Sequence, residues 1–356
     1  MSNRLIVNRS NITEIALDQG ASEHLAAGQA RLKLQNFALT ANNVTYAATG
    51  DVIGYWKFFP TGKEGQGIVP VWGTAVVAES QTEVLAAGDR LYGFFPMAEE
   101  LVIRAEPDQS GMIVDTASHR AELPVVYNHY AMVKNSDPKQ DHLRALLQPL
   151  LATSHLLFDW LVDNDCFGAE QIVIGSASSK TGLGLCKYLA EPADRNYSIV
   201  GLTSEGNKDF VEGLGACDQV LTYDQIEHLT NRPSVYVDMA GNADVKSRLH
   251  HHLTDNMRHS SAVGTSHWDK FAPPNDLPGA KPKFFFAPAQ IQKRREEWGP
   301  GAIEKQITAA WKRLASDSAA WLSVKEHQGL ESAIDVYQSL AKGDASPKDG
   351  HIINLA

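Results

Sequence analysis

Hydrophobic and polar positions follow two different rhythms along this chain. Over the first 130 residues, short apolar stretches at 30–39, 69–78 and 101–103 are broken by Gly and Pro, which predicts a β-rich domain with turns. Between them Ala86-Ala87-Gly88-Asp89-Arg90-Leu91-Tyr92-Gly93 reads as a turn feeding a strand, with Gly88 and Asp89 supplying the turn. From Asp141 to Val162 the spacing changes: Leu143, Leu146, Leu147, Leu150, Leu151 and Leu157 recur at three and four residues, predicting a linking helix. The next stretch, 171–241, alternates apolar strands with Gly- or Ser-rich turns: QIVIG opening into SASSKTGLG, then SIVGLTSEGNKDF, DQVLTY and SVYVDMAG. That is how a parallel βαβ sheet is written. The alternation runs to about Pro288, where Lys283-Phe284-Phe285-Phe286-Ala287 reads as one more buried strand, followed by helices at 303–315 and 330–341 and a terminal strand at 352–355.

In such a sheet, ligands sit beyond the carboxyl ends of the strands and the turn after the first strand holds phosphate. Here that turn runs from Gly175 to Gly184, with a helix beginning at Gly182-Leu183-Gly184. Glycines let backbone approach a pyrophosphate, and the helix offers free N–H groups and its positive end. The usual G-x-G-x-x-G is not intact, since Ser178 and Ser179 stand where glycines are expected. Serine hydroxyls can donate to phosphate instead, and Lys180 adds charge. Two other readings stay open. Ser179-Lys180-Thr181 with Val237-Asp238-Met239-Ala240-Gly241 imitates a P-loop triphosphatase, although that loop needs Gly where this chain has Ser179 and Ile174. The stretch also fits a Ser-rich helix cap that binds nothing. The second strand favours a dinucleotide: it ends in Thr203-Ser204-Glu205-Gly206-Asn207-Lys208, small hydroxyls and a Lys where an acid grips the ribose of NAD. A 2′-phosphate fits there, so NADP is expected over NAD, with NAD still admissible.

With 356 residues, 43% of them hydrophobic, the chain can bury a large core, and its length suggests two domains. Cys166, Cys186 and Cys217 are too few and too scattered for a disulfide framework. The first residues lack the pattern of a secretory signal, and no apolar run approaches the roughly 20 residues of a membrane span. A cytoplasmic protein is expected. A net charge of −10 opposes an extended nucleic-acid surface, and the one basic cluster, Lys293-Arg294-Arg295, is followed at once by Glu296-Glu297. A solvated helix face is the expectation for it.

Taken in order, these signals resemble the medium-chain dehydrogenase/reductase superfamily, and within it the zinc-free quinone oxidoreductase and enoyl reductase branch. Asn42-Asn43-Val44-Thr45-Tyr46 followed by Gly50 resembles the family's N-x-x-D-Y segment, with Thr45 where many relatives have Asp. Gly88-Asp89-Arg90-Leu91-Tyr92-Gly93 is similar to its GDRVYG strand, Leu214-Gly215-Ala216 with Leu221-Thr222-Tyr223 to LGAD…INY, and Val237-Asp238-Met239-Ala240-Gly241 to hhDxxG. SASSKTG, GLTSEGN, PVWG and FFFAPAQIQKRREEWG look like an uncharacterised subgroup. The resemblance implies an α/β protein: a GroES-like β-rich domain formed by both chain ends and a Rossmann doubly wound parallel sheet between them. It implies a catalytic domain over 1–142, a cofactor domain over 143–288, and a C-terminal part, 289–356, returning to the first. It implies that Gly175, Ser178, Ser179, Lys180, Thr181 and Gly182 cradle the pyrophosphate. Thr203, Ser204, Asn207 and Lys208 then meet the adenosine ribose or its phosphate, with Tyr223 close by. It also implies a homodimer acting on a small molecule, through the sheet edge near Phe284–Phe286.

Zinc-dependent members need Cys or His ligands in the first domain. The first 150 residues contain no Cys, and His24, His119, His129 and His142 lack ligand-like spacing. His250-His251-His252, with His259 and His267, falls in a helix and its exit, where neighbouring side chains diverge. No metal is expected. Zinc-free hydride transfer needs a reduced nicotinamide, an orienting pocket and sometimes a proton donor. A tyrosine suits that role, and the resemblance puts Tyr46 and Tyr55 in the segment that lines the nicotinamide site in relatives, with Asn42 as polar partner and Trp56, Trp72 and Tyr127 as apolar walls; half-buried structural tyrosines and plain core aromatics are the alternative reading. Tyr130 and Lys134 imitate the short-chain dehydrogenase pair but precede the nucleotide turn, the wrong order for that family. The expectation is an NADP(H)-dependent oxidoreductase acting on a carbonyl, quinone or activated alkene. The alternatives are a catalytically silent nucleotide-binding sensor or scaffold and, behind it, the P-loop NTPase.

Overall fold

The computed structural model describes residues 2–20, 24–108, 111–134, 137–264 and 277–355. Two compact units result, one of Met1–Pro149 with Leu322–Ala356, the other of Leu150–Trp321. The divisions expected at 142/143 and 288/289 therefore lie at Pro149/Leu150 and Trp321/Leu322, and residues 289–321 stay with the second unit.

The first unit opens with β1 (Ser2–Asn8), β2 (Asn11–Gly20) and β3 (Gln29–Leu39), then α1 (Ala41–Ala48) and α2 (Gly50–Ile53). It continues through β4 (Gln66–Gly67), β5 (Pro70–Ser80), β6 (Arg90–Pro96), β7 (Glu100–Pro107), β8 (Ile113–Asp115) and β9 (His129–Met132). Helix α3 (Pro138–Asp163) leads out of it. The second unit alternates β10 (Gln171–Gly175), α4 (Lys180–Ala190), β11 (Ser198–Thr203), α5 (Lys208–Gly213), β12 (Gln219–Thr222), β13 (Ser234–Asp238), α6 (Ala243–Leu253), β14 (Met257–Ala262) and β15 (Lys283–Phe284). It ends with α7 (Ala287–Trp298) and α8 (Ala302–Ser316), before β16 (Ser323–Gln328), α9 (Ser332–Lys342) and β17 (Asp349–Asn354) return to the first.

In the first unit β3, β5, β6, β9, β8 and β7 pair in that order, and β7 pairs back onto β3. The antiparallel sheet is thus closed, which leaves the ring without a free edge; β17 and β16 extend it outward from β3. This is the GroES-like barrel. Its interior holds a buried ion pair, Arg120 to Asp115 at 3.2 Å, and Arg120 also donates to the Tyr130 hydroxyl, which donates to the Phe94 carbonyl. Tyr130 is therefore a bracing residue of the barrel. Two short helices, α1 and α2, sit in a region whose composition read as β throughout. They are too short to show the apolar period of a longer helix.

The second unit is a six-stranded, fully parallel sheet in the order β12-β11-β10-β13-β14-β15. That is the Rossmann order, and its direction of winding reverses between β10 and β13, where a crevice forms outside the strand ends. Every residue of β10 is buried, as a central parallel strand requires. Just before it, Asp165, Cys166 and Phe167 take consecutive left-handed conformations with φ of 50°, 45° and 55°, which is costly for side chains with a Cβ. The Phe167 ring stacks on His259 at 4.1 Å and packs 5.2 Å from Trp160, contacts that offset this cost.

Three expectations are corrected. The run 283–287 is not a buried strand: β15 is two exposed residues, Phe284 is 54% exposed, and Ala287 already begins α7. The basic cluster is not uniformly solvated. Arg294 is 7% exposed, donates to Asp159 at 2.8 Å, pairs with Asp163 at 3.1 Å and lies over the Trp298 ring, which holds α7 against α3. Finally, α3 is long and apolar enough to cross a membrane by length and composition, although half of its most apolar window is buried within the protein.

The two neighbouring cations of α7 should therefore behave differently. Removing a buried partner strands a charge, whereas an exposed pair contributes little. Arg294→Ala is expected to lower unfolding stability by about 3–5 kcal/mol and Lys293→Ala by no more than about 1 kcal/mol, both read from urea unfolding followed at the second unit's tryptophans.

Candidate functional site

In the second unit, strand β10 ends at Gly175, where a Cβ would stand 2.7 Å from the Tyr236 hydroxyl. Ser176 follows with φ +52°, reversing the chain. The Ala177 amide then donates to the Leu202 carbonyl of β11, pinning the turn to the neighbouring strand. Ser179 is the N-cap of α4, its hydroxyl accepting from the Gly182 amide. A Cβ at Gly182 would lie 2.5 Å from the Ser176 carbonyl, so the turn closes on the helix only because that position has none.

The predicted cofactor residues gather at one end of this sheet. Gly175 and Gly182 frame the turn, and Lys180 and Thr181, both half-buried, form the first turn of α4. Ser178 is buried, and its hydroxyl accepts from the fully buried Thr203 hydroxyl at 3.1 Å. It spans from the turn to the end of β11 and keeps one proton of its own to donate. Beyond Thr203, Ser204 accepts from the Asn207 amide, and Lys208 pairs only loosely with Glu212, at 3.9 Å. Tyr223 follows β12, and its hydroxyl interacts with Ser176; burial raises its pKa.

Spacing alone missed a charged pair beneath the turn. Asp238 is the last residue of β13 and stands opposite Gly175 in the ladder. One carboxylate oxygen accepts from the Ala240 and Gly241 amides at 3.2 and 2.8 Å. The other faces the Lys246 ammonium at 3.5 Å. Both side chains are buried, at 1% and 4% exposed. Burial pushes the carboxyl above its ordinary range; Lys246 and the two amides oppose that shift. Asp238 is thus engaged by the protein on both oxygens, unlike the open carboxylate of a metal-holding P-loop strand. The signal for Lys246 was its place beside Val245 and Leu249 on the buried face of α6.

In the first unit, Thr40 caps α1 in a capping box with Asn43, whose amide donates to the Pro70 carbonyl. This orients Asn42 and Tyr46 one turn apart. The Tyr46 hydroxyl accepts from Trp72 Nε1 at 3.1 Å and also from the Asn42 side chain. Its ring lies 4.5 Å from Tyr55 and 5.5 Å from Phe94. The Tyr55 and Tyr127 hydroxyls share a hydrogen bond of 3.0 Å, and Tyr127 packs 4.6 Å from Phe94. Burial raises the pKa of Tyr46, Tyr55 and Tyr127, so all three stay protonated through neutral pH. Trp56 is not a pocket wall: it is wedged where a Cβ at Gly50 or Gly67 would come within 2.2–2.3 Å of its indole.

Among the described residues, no three His, Cys, Asp or Glu side chains are grouped to hold a metal; His267 lies outside the described residues. His250 is committed to the Pro278 carbonyl and the Ser260 hydroxyl.

No curated protein matches this sequence. Among solved structures, the fold is similar to CurA from Vibrio vulnificus in complex with NADPH, at 13% identity over 99% of each chain and a TM-score of 0.65. It is also similar to a quinone oxidoreductase of Pseudomonas syringae pv. tomato, at 12% identity over 100% of each chain and a TM-score of 0.60. A mutant enoyl thioester reductase from Candida tropicalis gives 11% identity over 99% of each chain and a TM-score of 0.59. What these structures share with this chain is the fold, a closed barrel beside a parallel Rossmann-like sheet. Residues 37–346 match the family described as "Protein of unknown function (DUF2855)", and the chain belongs to that family.

Proposed function

We propose that this protein binds NADPH on its second unit and reduces a small carbonyl, quinone or activated alkene. The observation that carries this is the β10–α4 turn at the point where the Rossmann sheet reverses its winding. The turn fits a pyrophosphate: Gly182 lets the turn close on α4 where a Cβ would clash with the Ser176 carbonyl, the α4 N-terminus lies at that turn, and Ser178 retains a donor proton. Lys208 and Asn207 offer a cation and an amide for a 2′-phosphate, where an acid would favour NAD. The structures similar in fold include one in complex with NADPH.

When bound, the cofactor supplies a hydride. The chain must then supply a proton, and of the two candidate tyrosines we assign that role to Tyr46 by its hydrogen bonding. Its oxygen already accepts from Trp72 and Asn42, which fills its two acceptor positions and leaves its own O–H free to donate. Tyr55 shares its hydrogen bond with Tyr127 and supports the ring array. The exposed Phe284 on the sheet edge is the surface we assign to a homodimer.

Three measurements test this reading. In calorimetric titration NADPH should bind more tightly than NADH, and Lys208→Ala should weaken NADPH about tenfold while leaving NADH unchanged; no binding of either at millimolar concentration would sink the proposal. Tyr46→Phe should lower kcat towards a quinone or enone about 100-fold at unaltered cofactor affinity. Cofactor binding without turnover over a broad acceptor panel would instead favour the silent sensor. Sedimentation equilibrium should give a dimer, converted to monomer by Phe284→Lys; a monomeric wild type would remove the dimer.

A further inference from the structure

The Asp238–Lys246 pair is unusual in position. A carboxylate that is 1% exposed ends β13 directly opposite Gly175, the residue from which the phosphate turn departs. A buried negative charge there would repel a pyrophosphate through a medium that screens poorly. It would also be costly in the apo protein. Lys246 comes from the first turns of α6 and brings a cation to 3.5 Å of the carboxylate oxygen that takes no backbone amide.

We propose that Lys246 is a positioning and charge-cancelling residue for the dinucleotide site, holding Asp238 electrically silent so that the carboxylate can organise the Asp238–Gly241 turn without repelling the cofactor's phosphates. This rests on the NADPH reading above. The other titratable groups facing the pair are Tyr236 of β13, Tyr223 after β12 and His250 of α6. Burial raises both tyrosines and lowers the histidine, so all three are neutral around pH 7. Lys246 is then the cation that balances Asp238 among the described residues around it. Tyr236 connects the pair to the turn physically, since its hydroxyl occupies the space where a Gly175 Cβ would be. Tyr223 connects it to Ser176.

Without Lys246, the carboxyl loses the largest of the influences that oppose its upward shift, the Ala240 and Gly241 amides and the Tyr236 hydroxyl remaining, and its pKa moves further up. Below that point it is uncharged and harmless; above it, it is an uncompensated anion beside the phosphates. Cofactor affinity should then fall as pH rises, a dependence that mere loosening of the fold does not produce.

The experiment is calorimetric titration of the intact protein with NADPH from pH 6 to pH 9, for wild type, Lys246→Gln, Lys246→Met and the double variant Asp238→Asn/Lys246→Met. Lys246→Gln keeps a donor to the carboxylate and guards against a Met variant that does not fold. The wild type should show little change of Kd with pH. Lys246→Gln should weaken at least about tenfold between pH 6 and pH 9, and the double variant should recover the flat profile. A Lys246→Gln variant within twofold of wild type throughout, or a folded double variant that keeps the pH dependence, overturns this inference while leaving the NADPH reading standing. A wild type that binds neither NADPH nor NADH overturns both.

Discussion

The second unit depends on two points where the chain passes too close to itself for a side chain. At Gly175 the neighbour is the Tyr236 hydroxyl; at Gly182 it is the Ser176 carbonyl. Together they let β10 end, reverse through a left-handed Ser176, and start α4 within a few residues. A methyl at Gly182 would push α4 away from the turn, and one at Gly175 would displace the buried Tyr236 ring. The sheet order, the helix N-terminus and the serines matter for binding only because this closure sets them at one level. The loss of glycines at Ser178 and Ser179 is tolerable for the same reason. Those two residues hold the turn by hydrogen bonds, one to Thr203 and one to the Gly182 amide, and neither stands at the two glycine positions themselves.

The first unit solves a comparable problem with hydroxyls and rings. A capping box fixes the start of α1, and that start decides where Tyr46 points. The aromatic packing of Tyr46, Tyr55, Phe94 and Tyr127 is dense, so the phenols are dehydrated and stay protonated. Burial here sets chemistry as well as stability. A phenol kept neutral and supplied with two donors has its own O–H left to offer as a hydrogen bond.

Much of the architecture could be read from local pattern because buried parallel strands have no polar face to hide. QIVIG and SVYVD are entirely buried in the structure, and their apolar runs between Gly- or Ser-rich turns marked them as strands of a parallel sheet. The order in which they pair was not visible, since it is set by crossovers between distant segments. Other readings failed where one residue's environment departs from that of its neighbours. Arg294 sits in a charged run yet is buried on two aspartates. Phe284 sits in an aromatic run yet is exposed. Lys246 looks like an ordinary helix lysine, and it is the β13 terminus, eight residues away in sequence but adjacent in space, that brings Asp238 to its ammonium. Tyr46 and Asn42 were picked out by their resemblance to a known segment; that they face each other one turn apart on a helix, with Trp72 as the second donor, needed the structure.

One feature of the barrel bears on how the chain is made. The outer partner of β3 is β17, contributed by residues 349–354, and the first unit is assembled from both ends of the described sequence. During synthesis β3 must wait with an open edge while the whole of the second unit emerges. Contacts that span most of the chain are slow to form, and an unpaired strand is a template for other chains. The second unit is continuous and can fold first. Loss of the last strand would therefore harm the protein first by exposing β3 to aggregation, with the nucleotide turn itself still intact.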